Sequence, residues 1–526
     1  MRIRIAFLTT LIACVLVAPG FVGLASAGPA AKLVIVSPHW EGIKKEFEAA
    51  FKAYHLANYG EDVEFEWLDE GGTSECVKYI DSGFEATPDG IGIDIFWGGG
   101  VDPYIAAAEK GQLQRYRVEE EVLSKIPASY GGIPMYDPEY RWYGAALSGF
   151  GILYNKAILQ LEGLPTPATW EDLADPRLEG WVGTADPRHS GTSHMMVEII
   201  LQAYGWDEGM KLLTTMGANM KDFPTSSSQV PESVGAGDIV YGLSVDFYAL
   251  SEILAYGSDR LGYVMPAGLT VINPDSIGIL KGAPDLDVAR RFVTFVLTKN
   301  AQKLWMLPVG AEGGPNTYVL GRMCIIPELF TELANVSVVP VKNPFEEEPK
   351  LMYNSTLGSI RYSLVNDLFG STIIDTHEDL VSAWRGIIAT ENTLAEAGFT
   401  STRIEEAKEK LGEAPLTRDE ALAAAGQWGN AEARNRYISV WHEFAIEKYQ
   451  NATKIAALAR AELSTHLESE KQALMAQYKS VIKTLEDEKR INLYIGLGGG
   501  VVLGAVIGFA ISYYMARRKE IEAVKA

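Results

Sequence analysis

The chain has 526 residues, enough for more than one domain; 47% are hydrophobic and 22% are charged. A formal net charge of −22 argues against a nucleic-acid-binding role and suits a surface exposed to the surrounding medium. The seven histidines form no close metal-type spacing, and neither G-x-S-x-G nor H-E-x-x-H occurs, so the usual hydrolase and zinc-protease signatures are missing.

At the amino end, Arg2 and Arg4 precede an apolar run, Ile5–Val17, and Ala25-Ser26-Ala27 is a small-residue cleavage site. A signal peptide over residues 1–27 is predicted. Leu11-Ile12-Ala13-Cys14 also resembles a lipoprotein acylation box, but apolar sequence continues past it to the better site. Cleavage leaves Cys76 and Cys324, which an oxidising exterior would permit to pair and burial would keep as free thiols.

Strand and helix then alternate. Leu33–Val36 reads as a strand, followed by a helix with Ile43, Phe47, Phe51 and Tyr54 on one face. Val63, Phe65 and Trp67 alternate as a second strand, and Asp69–Thr73 turns into a helix around Ser74–Phe84. Ile93–Trp97 is a third strand, ending in Gly98-Gly99-Gly100 before a helix from about Pro103. This recurrence predicts a doubly wound parallel sheet, whose ligands sit beyond the carboxyl ends of the strands. Those ends place Ser37, His39, Trp40, Thr73, Ser74 and Gly99 among the candidate ligand contacts. The three glycines match neither a dinucleotide fingerprint nor a phosphate-binding P-loop.

A second unit opens with the extended stretch Tyr143–Tyr154. Val182–Thr184 ends a strand, Asp186-Pro187 breaks it, and Ser190 is placed to cap a helix with Met196, Ile200, Ala203 and Tyr204 on its apolar stripe. Gly205 stops that helix. Ser190, Gly191 and Thr192 therefore bring hydroxyls and unpaired N–H groups to a helix start; they serve an anion or simply cap the helix. Thr225–Ser228, with Ser227 central, precedes another short helix, Pro231–Ala236. The strand Ile239–Val245 delivers Asp246-Phe247-Tyr248. Asp246 suits either a cationic group or a helix cap, and Tyr248 and Trp40 suit either stacking on an organic ligand or core packing. Leu261–Ile272 returns as a second crossing, Asp275–Leu280 follows, and Leu286–Leu307 reads as one amphipathic helix.

The segments ADPRHSGTS, SSSQVPESVGAGDIVYGLSVDFYA, INPDSIGILKGAPDLDVARRFVTFVLTKNAQ and LVNDLFGSTIIDTHEDLVSAW stand in one order over roughly residues 32–388. In that order the chain resembles the type II periplasmic-binding superfamily, in the group of ferric-iron-binding and related solute receptors of ABC importers. The resemblance implies an α/β fold of two lobes, 32–145 plus 273–412 and 146–272, joined by a two-strand hinge that closes on a solute. It also implies no catalytic residue, cofactor or resident metal, and an ABC permease with its ATPase as partners. Ser190, Gly191 and Thr192 would face the anion, with Ser227 at a second anion-contacting position. Ferric-binding members commonly use an adjacent tyrosine pair, and that position here reads Phe247-Tyr248; their amino-terminal histidine aligns with Trp40, one place from His39. An anion-bearing organic solute (phosphate ester, phosphonate or carboxylate) therefore ranks ahead of ferric iron, and an exported hydrolase or surface structural protein is the alternative of another class.

Asn430–Arg490 contains neither proline nor glycine and is rich in Ala, Glu, Lys and Leu, which predicts a long helix within a 413–491 stalk. Leu467, Leu474, Tyr478, Val481 and Leu485 fit a partial heptad interrupted by Lys471, and a hairpin folding back onto the domain is the alternative. Leu493–Met515 is apolar, uncharged and long enough to span a bilayer, and Arg517-Arg518-Lys519 place the 516–526 tail in the cytoplasm. A single-pass protein with its binding domain outside the cell membrane is expected. Gly496, Gly500, Gly504 and Gly508 would lie on one face of that span, where self-association or permease contact is possible.

Overall fold

A computed structural model describes residues 31–340 and 342–493, with side chains through residue 489. The leader over 1–27, the tail over 516–526, Gly496, Gly500, Gly504 and Gly508, and all of Leu493–Met515 beyond its first residue lie outside the described residues. Among the described residues no helix is long and apolar enough to cross a membrane.

The strands run across the sheet in the order Val63–Leu68, Ala31–Val36, Ile95–Trp97, Ile272–Ile279, Trp142–Asn155, Tyr241–Val245, Val182–Gly183, and Leu261–Val264 pairs separately with Trp142–Asn155. The first three are mutually parallel, as their βαβ spacing dictates, but Ile272–Ile279 runs antiparallel to both its neighbours. The expected parallel sheet is thus mixed, because the crossing strands enter it from the other lobe. Trp142–Asn155 is the hinge element. Trp142–Gly149 pairs with Ile272–Gly278, and Phe150–Tyr154 pairs with Tyr241–Val245, so one strand serves two lobes. A run buried on both faces requires an almost wholly apolar sequence, and WYGAALSGFGILYN supplies it.

Leu286–Leu307 is two helices, Leu286–Leu297 and Lys299–Met306. Thr298 adopts extended geometry between them, and its hydroxyl caps the second by accepting from Ala301 N. Cys76 and Cys324 are both buried and free, and burial pushes each thiol up to about 12.

Beyond the short helix Pro327–Glu332, five more α-helices follow among the described residues: Ser355–Phe369, His377–Glu396, Arg403–Gly412, Arg418–Ala425 and Ala431–Leu493. Within the 273–412 span assigned to the first lobe, one of these helices, His377–Glu396, also packs on the second lobe. Trp384 Nε1 donates to Asn219 Oδ1 (3.2 Å) and His377 Nε2 pairs with the Gly217 carbonyl (3.1 Å), both on the second-lobe helix Trp206–Asn219. That helix carries an apolar face, Leu213 and Met216, and a Cβ at Gly217 would lie 2.5 Å from Ile373, so glycine lets the layers meet.

The long helix is continuous over 63 residues, about 95 Å at 1.5 Å per residue. Neither a free stalk nor a hairpin describes it. Trp441, Ala445, Tyr449, Ala452, Ala456, Ala459, Leu463 and Leu467 are buried at steps of three or four, and the alanines let its backbone lie close to the layer beneath. From 468 to 489 no residue is buried. The first half is docked and the second half projects.

Candidate functional site: the interlobe cleft

The three parallel strands end side by side and release Pro38–Trp40, Asp69–Gly72 and Gly98–Gly100 into one cleft. Gly99 has φ +93°, and a Cβ there would sit 2.4 Å from Thr73 Cγ2, so glycine alone allows the turn and the close approach. The second lobe contributes the start of helix Gly191–Tyr204, the loop Thr225–Ser228, and Phe247-Tyr248. Together they enclose about 440 Å³.

Of the sequence-predicted contacts, His39, Trp40, Thr73, Gly99, Ser190, Gly191, Thr192, Ser227 and Tyr248 all line this cavity. Three others sit behind its wall, because their polar atoms are already used. Ser37 Oγ accepts from His39 N (3.2 Å). Ser74 Oγ donates to the Pro187 carbonyl across the lobes (3.1 Å). Asp246 accepts from the N–H groups of Gly149 (2.9 Å) and Phe247 (2.8 Å), and burial pushes its carboxyl up to about 7. The serine at the helix start does cap it, with Ser190 Oγ accepting from Ser193 N (3.3 Å). The N–H groups of Gly191 and Thr192 find no protein acceptor among the described residues, so capping and ligand-facing donors coexist in one turn.

Sequence reasoning missed the polar centre of the cleft. Arg322 Nη1 donates to Asp275 Oδ2 (2.8 Å) and Nη2 to Ser148 Oγ (2.7 Å), while His39 Nε2 meets the same Asp275 oxygen at 2.7 Å. Burial works to raise the Asp275 carboxyl, but Arg322 and His39 outweigh it and hold it at about 2. Burial pushes His39 below its ordinary value, more strongly than Asp275 raises it. The guanidinium lies 4.3 Å from the Phe247 ring centre, a cation–π contact. Asp275 falls midway along strand Ile272–Ile279, and its charge within a fully buried strand is the signal that marks it. Arg322 stands in a loop with no local motif and carried no signal.

The cleft is shut. His189 Nδ1 meets Glu75 Oε1 at 2.7 Å across it, and Lys78 Nζ donates to the Arg188 carbonyl at 2.9 Å.

Two α/β lobes joined by a shared strand, with a polar cleft at their strand ends, define a type II periplasmic-binding fold. Residues 94–307 match the model of a family of bacterial extracellular solute-binding proteins. A phosphoglycerate transport regulatory protein, PgtC of Salmonella typhimurium, is 27% identical over 249 residues, 47% of this chain and 58% of its own length. The chain thus spans little more than half of that curated relative. Iron uptake protein A1 of a Synechocystis species is 24% identical over 198 residues, 35% of this chain and 52% of its own. Among solved structures, the periplasmic binding protein P5PA aligns with a TM-score of 0.53 at 20% identity, covering 65% of this chain and 99% of that one.

Proposed function

We propose that the cleft captures a small anion-bearing organic solute outside the cell and hands it to an ABC importer's permease, which works with its ATPase. The observation that carries this reading is the pairing of Phe247 with Arg322. Where a ferric site would want a second phenolate, the cleft holds the Phe247 benzene ring, which offers a hard trivalent ion no oxygen ligand, and the ring is faced by a guanidinium already paired with Asp275. Across the cavity, the free N–H groups of Gly191 and Thr192 and the serines of 226–228 offer donors to an anion at a helix N-terminus. A relative named for phosphoglycerate transport supports the same solute chemistry. Export by residues 1–27 and anchoring by Leu493–Met515, with glycine-face contacts there, belong to this proposal on sequence grounds.

Replacing Thr192 and Ser227 together with leucine is expected to abolish binding of the solute that co-purifies with the wild-type protein, identified by mass spectrometry, while melting stays cooperative. Retained affinity would sink the pocket. His39 and Tyr248 do both line the wall, as an iron site would want. A strong tyrosinate charge-transfer band on adding ferric iron would therefore favour the iron receptor instead.

A further inference from the structure

Segment 353–375 touches both lobes through side chains that the cleft itself does not use. Toward the first lobe, the Tyr353 hydroxyl donates to the buried Asp102 carboxylate on helix Val101–Glu109. Tyr362 meets Ser74 Oγ at 3.0 Å; because Ser74 already donates to the Pro187 carbonyl, the tyrosine is the donor. Toward the second lobe, Arg361 forks onto Glu198 (Nη2–Oε1 2.7 Å, Nε–Oε2 3.0 Å), and Asn366 Oδ1 meets His194 Nδ1 at 2.7 Å. His194 and Glu198 belong to helix Gly191–Tyr204, whose first turn faces the solute cavity. The Arg188 guanidinium reaches Asp375 at 2.9 and 3.0 Å, and a Cβ at Gly370 would lie 2.6 Å from Arg188 Nε, so the glycine opens that path.

The same segment is held from behind by the long helix and the turn that precedes it. Asp367 accepts from Trp428 Nε1 (2.9 Å) and Arg434 Nε (2.7 Å), and the Tyr449 hydroxyl donates to the Thr372 carbonyl (2.5 Å). Asp102, Arg361, Glu198 and His194 are all at most 2% exposed. Buried polar networks of this kind are costly to leave half-made, so they favour one discrete arrangement over a range of lobe angles.

We propose that segment 353–375 is a clasp: Arg361, Tyr362 and Asn366 are positioning residues that hold the cleft shut, and the docked helix behind them governs its release. This rests on reading the cleft as the solute site, but the clasp has its own readout. In the full chain carrying Cys14→Ser, spin labels at Tyr79→Cys on the first lobe and Leu161→Cys on the second report lobe separation; both positions are exposed, and the two cysteines among the described residues, Cys76 and Cys324, are buried. With no solute added, one narrow distance is expected. Tyr362→Phe, which removes one oxygen and keeps the ring against His194, and Asp367→Asn should each add longer distances. Each should also speed dissociation of inorganic phosphate or phosphoglycerate at least tenfold. A broad distribution in the unsubstituted chain, or folded variants with unchanged distances and rates, overturns the clasp. Distances that respond as expected while neither phosphate nor phosphoglycerate binds uphold the clasp and overturn the solute reading.

Discussion

Lys448 gives the sharpest test of how the long helix is docked. It is almost wholly buried, its Nζ donates to the Glu413 carbonyl at 2.8 Å, and the rings of Phe444 and Tyr449 lie 5.9 and 5.1 Å away. Burial pushes its ammonium down from 10.5 to about 7, with Glu413 opposing and Lys410 assisting. Between about pH 7 and 10.5 the unfolded chain therefore binds the proton more than the folded one does, and stability rises with pH. Below about pH 7 both states are protonated and the penalty is fully present. At 1.36 kcal/mol per unit, a displacement from 10.5 to about 7 corresponds to on the order of 5 kcal/mol. Lys448→Met keeps the side-chain volume and removes the charge. Urea unfolding followed by tryptophan fluorescence suits this, because Trp428 and Trp441 stack at 5.2 Å on the docked surface. The wild type should gain stability from pH 7 to 9, and Lys448→Met should be more stable at pH 7 with that gain lost. A Met variant that is less stable at pH 7, or keeps the wild-type pH dependence, refutes the reasoning.

Arg361→Met leaves the Glu198 carboxylate buried without its cation, and should cost about 3–5 kcal/mol in denaturant unfolding; Arg361→Met with Glu198→Leu should recover most of it. Asp246 is raised to about 7, so its folded form holds the proton more tightly, and stability should fall as pH rises from about 4 to 7. Asp246→Asn should flatten that window in thermal melts; an unchanged slope would assign the effect elsewhere. Gly99→Ala forces a side chain into φ +93° and against Thr73, with a strain cost of about 1–3 kcal/mol, and should weaken solute binding in calorimetry.

Sequence patterns exposed the parts of this fold governed by local periodicity. The alternation at Val63–Trp67, the Ser190 cap and the four-segment order all correspond to features in which neighbours in sequence share one task. The helical layer was harder to place, because which lobe a helix packs against depends on a distant surface: nothing within His377–Glu396 points to Asn219 or Gly217. The cleft divided along the same line. Strand-end and helix-start residues were legible from position alone, whereas Arg322 enters through a loop whose course is set by tertiary packing. Ser74 shows the reverse error. It sits at the right strand end, but its hydroxyl is consumed between Pro187 and Tyr362, a partner 288 residues away.

If the cleft takes an anion, as proposed, its charge arrangement would let it do so without a free lysine in the wall built from Arg322, Asp275, Ser148 and His39. Asp275, held near 2, stays ionised and offsets Arg322, while burial disfavours the charged form of His39; that wall carries paired donors and acceptors and little net charge. On that proposal the attraction for an anion would fall to the amide dipoles of Gly191 and Thr192, which are fixed by the helix and would cost little reorganisation when the solute arrives. Dipoles of this kind reward a group placed at the helix axis and fade within a turn. The wall of Arg322, Asp275, Ser148 and His39 would in that case read the uncharged remainder of the solute through hydrogen-bond geometry. Phe247 completes the division: its ring shields the guanidinium on one face, so Arg322 is held for orientation by Asp275 and Ser148 instead of moving toward incoming charge.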